Sequence, residues 1–241
     1  MVELDSLSFS YEREPVLRDL SFRIPQGETV VLAGANGSGK STLLALLTGI
    51  YTPSGGRLRV GDIYSPGRED RLRSAVGLLL QDAELQILGA TVREDLLLGC
   101  GGEPAGSRRW SDLARSFGLE RLLDAPVQTL SGGQKRKLCL AATLLKDPSL
   151  LLFDEPFSGL DYPAVRELRC ILAENRAAGI TQVVAAHDLE PVLDLADSLI
   201  LLCNGRLAES GPPAGVLDRA AEHGVRPPCS WRLQGEIRPW D

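Results

Sequence analysis

The sequence predicts an α/β fold built around a parallel sheet, and three features point there. An apolar run at residues 29–33 leads into a glycine-rich turn and then a helical pattern. Two more runs, residues 150–153 and 183–186, are strand-sized and lack polar alternation, as strands covered on both faces do. A helical stretch lies between those two runs, the β-α-β order that parallel pairing requires.

The remaining elements follow in order. Residues 4–11 and 16–24 alternate apolar and polar and predict antiparallel strands, with Pro25-Gln26-Gly27 turning into the 29–33 strand. Residues 43–47 continue a helix. Gly55-Gly56 and Gly61-Asp62 bracket a short strand near 58–60. Residues 70–75 predict a helix and 76–80 a strand ending at Gln81. From about 83 to 146 strand signals vanish and helical periodicity appears at 110–117 and 134–145, which predicts an inserted helical subdomain. The loop Gly99-Cys100-Gly101-Gly102-Glu103-Pro104 separates helices there; with no Lys-Ser after it, it is not a second phosphate loop. Asp161 is placed to cap a helix with Pro163 in its first turn, running to about Ala178 and ended by Gly179. Residues 199–203 and 206–209, joined by Asn204-Gly205, predict a β-hairpin. The main domain spans 1–211. Beyond it, Pro212, Pro213, Pro227, Pro228 and Pro239 predict an irregular tail over 212–241, with Trp231 and Trp240 as packing anchors.

A chain of 241 residues, 44% hydrophobic and 24% charged, has ample material for a buried core. No apolar run is long enough to span a bilayer, and Met1-Val2-Glu3-Leu4-Asp5 does not resemble a secretory signal. Cys100, Cys139, Cys170, Cys203 and Cys229 are scattered without a CxxC pair and read as free thiols. A net charge of −6 offers no electrostatic footprint for nucleic acid. Any membrane contact is therefore expected through partner proteins.

Residues 34–41, Gly-Ala-Asn-Gly-Ser-Gly-Lys-Ser, fill the pattern GxxxxGK[ST] directly after the 29–33 strand. Gly34, Gly37 and Gly39 permit a turn tight enough for backbone N–H groups to surround phosphates, and the following helix adds its positive end. Lys40 is expected to reach the β- and γ-phosphates of a nucleoside triphosphate, and the Ser41 hydroxyl to hold Mg²⁺. A glycine turn capping an ordinary helix is the plain alternative. The four fixed positions match by chance in only about one chain in a hundred of this length.

A second anion site is written in Leu130-Ser131-Gly132-Gly133-Gln134 at the head of a helix. Ser131 is an expected N-cap, but two glycines at a helix start cost stability and so suggest a functional reason. Asp154 and Glu155 close the 150–153 run, and His187 follows 183–186. Strand ends of a parallel sheet are where ligands are held. Asp154 there would bind Mg²⁺, Glu155 would polarise an attacking water, and His187 would contact the γ-phosphate.

The set resembles the ATP-binding cassette (ABC) ATPases from Phe9 to about Gly211. In that family's terms residues 34–41 resemble the Walker A loop, Leu130–Gln134 the signature, and 150–154 Walker B with Glu155 after it. Gln81 matches the Q-loop, Ser158-Gly159-Leu160-Asp161 the D-loop, His187 the switch histidine, and Tyr11 the aromatic that stacks on adenine. The resemblance implies a P-loop NTPase (RecA-like) core with an antiparallel β-subdomain and an inserted helical subdomain. It implies catalytic roles for Glu155, His187 and Gln81, and Mg²⁺ ligation by Ser41, Gln81 and Asp154. ATP contacts are expected from Tyr11, Asn36, Gly37, Ser38, Gly39, Lys40, Ser41 and Thr42, and from Ser131, Gly132, Gly133, Gln134 and Asp161. The signature lies about ninety residues beyond the phosphate loop, and the resemblance implies that it stands too far away in one chain to touch the same ATP. A head-to-tail homodimer, or a heterodimer with a related cassette, is implied.

Within the family, Gln81-Asp82-Ala83-Glu84-Leu85-Gln86 and Gln134-Lys135-Arg136-Lys137 are similar to energy-coupling factor ATPases, which drive uptake of cobalt, nickel and vitamins. That subfamily usually reads Gln-Asn-Pro-x-x-Gln, so Asp82-Ala83 is a departure. The tail is shorter than the helical C-terminal domain of its longer members, which leaves their dimer contact unassigned here. The expected function is ATP hydrolysis powering micronutrient import through separate integral-membrane subunits, at the cytoplasmic face of the cell membrane. Residues 81–95, Gln86 and Arg93 among them, are the expected grip on a membrane subunit. The alternatives are a cassette of another importer or exporter, and a soluble cassette of DNA repair or translation. The long coiled coil or second cassette of those soluble members is not found in this sequence.

Overall fold

The computed structural model describes residues 1–99 and 108–240. The Gly99-to-Pro104 loop therefore lies outside the described residues after Gly99, as do Cys100 and Asp241. The chain begins with β1 (Val2–Tyr11) and β2 (Glu14–Ile24), then β3 (Thr29–Ala33), α1 (Lys40–Leu47), β4 (Gly55–Val60) and β5 (Ile63–Ser65). Next come α2 (Glu69–Ala75), β6 (Val76–Leu79), α3 (Val92–Gly99), α4 (Arg108–Ser116) and α5 (Gly132–Leu144). The last third holds β7 (Leu150–Asp154), α6 (Tyr162–Ala177), β8 (Thr181–Ala186), β9 (Ser198–Cys203), β10 (Arg206–Gly211), α7 (Pro213–Ala220) and α8 (Cys229–Gln234).

Two sheets organise these elements. The smaller has the order β2-β1-β4-β5 and is antiparallel. The larger has the order β10-β9-β3-β8-β7-β6, parallel except for β10. All five residues of β3 are buried because successive side chains enter different cores. Val30 and Leu32 join the core shared with α1 and the antiparallel sheet, while Val31 and Ala33 join the core on the opposite face. The alternation-free sequence of β3 and β8 follows directly from that double coverage.

The register of the larger sheet determines where the site forms. Ala33 pairs with Ala186, Asp154 with Ala185, and Leu79 with Phe153. The carboxyl ends of β3, β8, β7 and β6 thus lie side by side along one edge, and each continues into a segment singled out from the sequence. Between β6 and β7 the described chain is helical and has its own small core, which includes Leu96, Leu119, Leu130 and Leu138.

One expectation needs correction. Residues 212–241 are not irregular throughout, since α7 and α8 form there. Pro212 and Pro228 occupy N-cap positions and Pro213 the first helical turn. These are places where a missing N–H costs no intrahelical bond, so proline starts these helices. The side-chain amide of Gln86, expected at a partner surface, is engaged within the chain. It donates from Nε2 to Leu78 O (2.9 Å) and Thr143 Oγ1 (3.2 Å) and accepts from Leu80 N (3.2 Å). It thereby satisfies the otherwise unpaired outer edge of β6. Trp231 packs against the second core and Trp240 against Tyr162, as anchors do. Cys139, Cys170, Cys203 and Cys229 are free thiols. Among the described residues no helix is long and apolar enough to cross a membrane.

Candidate active site

The phosphate loop leaves β3 and closes on Gly39, which has φ 104° and is the N-cap of α1. A β-carbon on Gly39 would lie 2.5 Å from the Leu17 side chain, and one on Gly34 would lie 2.4 Å from Ser38 Oγ. Only glycine fits either position. Lys40 is 6% exposed. A cation buried that deeply needs partners. Its Nζ donates to the carbonyls of Gly34 (2.8 Å) and Ala35 (3.4 Å) and sits 3.3 Å from Glu155 Oε1. Ser38 Oγ is buried and has no partner among the described residues.

Asp154 ends β7, and its Oδ1 accepts a hydrogen bond from Ser41 Oγ (3.1 Å). Burial pushes the Asp154 carboxyl above the ordinary range; the Ser41 hydrogen bond pulls the other way and the neighbouring Glu155 adds to the rise. Glu155 has φ 47°, a left-handed backbone that costs a non-glycine residue about 1–3 kcal/mol. Its N–H still donates to Ala185 O (3.0 Å), extending the β7–β8 pairing. Having turned out of the sheet, its carboxylate meets Lys40 through Oε1 and His187 through Oε2. His187 Nδ1 lies 2.6 Å from that oxygen, and its backbone N–H donates to the same atom (3.3 Å). An ionised carboxylate only accepts, so Nδ1 carries the proton.

Gln81, just past β6, donates from Nε2 to Ser158 Oγ (3.3 Å). Asn36, Gly37, Gly39, Lys40, Ser41, Thr42, Gln81, Glu155 and His187 line one cavity of about 570 Å³, joined by Val16 and Ser158. Ser158 was read from the sequence only as part of the D-loop, and Val16 was not read as a site residue; it reaches the loop because β2 runs beside Gly39. Tyr11 stands at the rim with its hydroxyl 3.3 Å from Thr42 Oγ1. Phe9 and Tyr51 hold its ring edge-on, with centroids 4.9 and 5.3 Å away. Tyr51 also went unread, being forty residues from Tyr11 with no motif of its own.

The donor set suits Mg²⁺. Ser41 and Asp154 present hard oxygens within hydrogen-bond distance of each other. No group of three or more His, Cys, Asp or Glu forms a dedicated cage among the described residues. Magnesium is ordinarily held in just this way, by one or two protein oxygens with the rest from phosphate and water.

Ser131–Gln134 lie elsewhere. Ser131 Oγ accepts from Gln134 N (3.3 Å) and Gln134 Oε1 accepts from Ser131 N (2.9 Å), a complete capping box. Gly132 and Gly133 begin α5 and open on a separate cleft of about 720 Å³ that shares no residue with the phosphate cavity. Asp161 also lines it, but its carboxylate caps α6 through Ala164 N (3.1 Å). The chain thus carries two glycine-rich helix starts that open on two separate clefts.

A family profile described as ABC transporter matches residues 17–158. The cobalt import ATP-binding protein CbiO of Rhodobacter capsulatus is 42% identical over 222 residues, covering 88% of this chain and 79% of the relative. The energy-coupling factor transporter ATP-binding protein EcfA1 of Mycoplasma pneumoniae is 35% identical over 219 residues, covering 89% and 80%. Among solved structures, cbiO1 of Clostridium perfringens, part of the ABC transporter complex cbiONQ, superposes with a TM-score of 0.81 at 31% identity, covering 90% of each chain. The matched range holds the phosphate loop, the helical insertion and the strand-end acids, and this chain belongs to the ABC transporter family as one of its ATP-hydrolysing cassettes.

Proposed function

We propose that this chain is the ATP-hydrolysing subunit of an energy-coupling factor type importer, driving uptake of a transition-metal ion or vitamin through separate membrane subunits. The observation that carries the catalytic reading is the single cavity into which Lys40, Ser41, Gln81, Glu155 and His187 converge. ATP entering it exchanges the Gly34 and Ala35 carbonyls for its β- and γ-phosphates as partners of Lys40. The Glu155 carboxylate, released from Lys40, accepts a hydrogen bond from the attacking water and draws off its proton. His187 orients that carboxylate through Nδ1–H and faces the γ-phosphate. Bound Mg²⁺ supplies charge neutralisation across the phosphates, and Ser41, Asp154 and Gln81 are the side chains that would hold it. Tyr11 offers its ring to adenine.

The second anion site completes the reading. Gly132 and Gly133 present N–H groups to a cleft that ATP held by the same chain does not enter. Two chains arranged head to tail bring the Ser131–Gln134 turn of one against ATP held by the other. Such an interface is symmetric in a homodimer and pseudo-symmetric with a related cassette.

The transport reading is supported by the similarity to importer subunits and by the surface beside Gln81. Leu85 and Leu88 are 75% and 81% exposed there, next to a cleft lined by Ile87, Val127 and Gln128. They are the grip for a helix of the membrane subunit. The test is co-expression of the tagged chain with the membrane proteins encoded beside it. Wild type should recover integral-membrane subunits and support ATP-dependent uptake; the Leu85→Glu/Leu88→Glu double variant should hydrolyse ATP but lose both. A wild-type chain that recovers no membrane protein overturns the transport reading.

A further inference from the structure

Arg136 lies on α5 two residues past the capping box, and its surroundings differ from those of its neighbours. Lys135 and Lys137 are paired with Glu84 and Glu167. Arg136 has no carboxylate partner among the described residues. It is half-buried, and its guanidinium donates to two main-chain carbonyls, Pro156 O from Nη1 (2.7 Å) and Gln81 O from Nη2 (3.0 Å). Burial without a counter-ion pulls its pKa below the usual guanidinium value. Desolvating a cation against neutral acceptors alone is an expensive way to hold a helix in place.

The identity of the two acceptors explains the arrangement. Gln81 follows β6 and lines the phosphate cavity. Pro156 is peptide-bonded to Glu155, whose left-handed backbone persists only where its surroundings hold it on both sides. The Ala185 carbonyl holds one side, through the Glu155 N–H. Arg136 holds the other. Gln81 and Glu155 are further linked through Ser158, which accepts from Gln81 Nε2 and donates its N–H to Glu155 O (3.1 Å). One rigid fork on the helical insertion thus grips both catalytic segments of the parallel-sheet core. A planar guanidinium spans two carbonyls at once; a lysine ammonium on a flexible stem reaches one.

We infer that Arg136 is a positioning residue that ties the placement of the helical insertion to the joint placement of Gln81 and Glu155. Movement of α5 relative to the sheet then changes hydrolysis without touching the nucleotide. The inference rests on the roles given above to Glu155 and Gln81.

The experiment compares MgATP affinity and steady-state hydrolysis for wild type, Arg136→Lys, Arg136→Ala, Gln81→Ala, the Arg136→Lys/Gln81→Ala double variant and Glu155→Gln. Arg109→Ala serves as the control, since it removes an exposed pair with Asp147 elsewhere on the insertion. Arg136→Lys is expected to lower kcat about tenfold, as misplaced catalytic groups do, while MgATP affinity stays within about twofold. Its effect should be less than additive with Gln81→Ala, because both changes act on one element. Arg109→Ala should match wild type. A kcat for Arg136→Lys within about twofold of wild type overturns the inference, as does a parallel loss of affinity or strict additivity. If Arg136→Ala does not fold, the lysine variant decides; if that also fails to fold, the residue is structural and the inference is wrong. Normal turnover by Glu155→Gln would instead remove the reading on which the inference stands.

Discussion

The phosphate loop and the Ser131–Gln134 turn are both glycine-rich turns at helix starts, yet their glycines answer to different constraints. At Gly34 and Gly39 a β-carbon would collide with Ser38, Leu202 or Leu17, and Gly39 also has positive φ. The chain itself forbids a side chain there. At Gly132 and Gly133 a β-carbon would meet nothing within 4 Å, and neither has positive φ. A glycine in the first turn of a helix that its own chain could replace by alanine costs about 0.5–1 kcal/mol. Among the described residues nothing excludes a side chain at the start of α5. The electrostatics differ in the same sense: Lys40, Glu155 and His187 already form a closed network in one cleft, while the other offers backbone donors beside a helix cap. One cleft holds a charged network, and the other is lined by a glycine-rich helix start.

That contrast can be broken at its strongest point first. Glu155→Gln keeps the size and hydrogen bonding of the residue but removes the base, so turnover should fall about 10²–10⁴-fold while ATP still binds. With MgATP the variant should sediment as a dimer and without it as a monomer. A monomer in both conditions, well above the nucleotide affinity, would leave only a heterodimer as the composite form.

Gly133→Ala separates the two sites. The substitution should raise the stability of the isolated chain by about 0.5–1 kcal/mol, read from urea unfolding, because the folded backbone already suits alanine. MgATP affinity of the monomer should not change, whereas ATP-dependent dimerisation and turnover should drop. Full turnover in this variant would show that no phosphate approaches α5.

A smaller effect is expected at the rim. Tyr11→Ala should weaken ATP binding by roughly tenfold or less, the worth of one aromatic stack, and Tyr11→Phe should restore it. If the phenylalanine variant binds as weakly as alanine, the hydroxyl contact with Thr42 matters more than the ring. The smallest effect concerns the insertion's packing. Burial pushes the Cys139 thiol up to about 12. At pH 8 it therefore carries almost no thiolate, and alkylating reagents should label exposed Cys170 and Cys229 well before it. Early labelling of Cys139 would mean that α5 opens readily from the sheet.

The parts legible in the sequence were those whose geometry is local. The strand-turn-helix around Lys40, the Asp161 cap with Pro163 and the Asn204-Gly205 hairpin each depend on neighbours within a few residues. They appear where the periodicity and the turn residues place them. The internal role of Gln86 was not legible, because a polar residue on an exposed-looking loop gave no hint that β6 would be an edge strand needing its amide. The tail was misread because proline was taken as a breaker when its position, at Pro212, Pro213 and Pro228, made it a helix start. Arg136 looked like one cation in a run of three; its two carbonyl acceptors are 20 and 55 residues away.

By itself the sequence determined the chemical groups, since glycines at fixed spacing before Lys40, acids at the end of an apolar strand and a histidine after another are statements about contiguous chain. Only the tertiary structure decided which of them meet. The strand order β3-β8-β7-β6 sets Lys40, His187, Glu155 and Gln81 along one edge, while Ser131 lines a separate cleft. Strand order depends on which apolar faces bury one another across more than a hundred residues, and no local pattern carries that information.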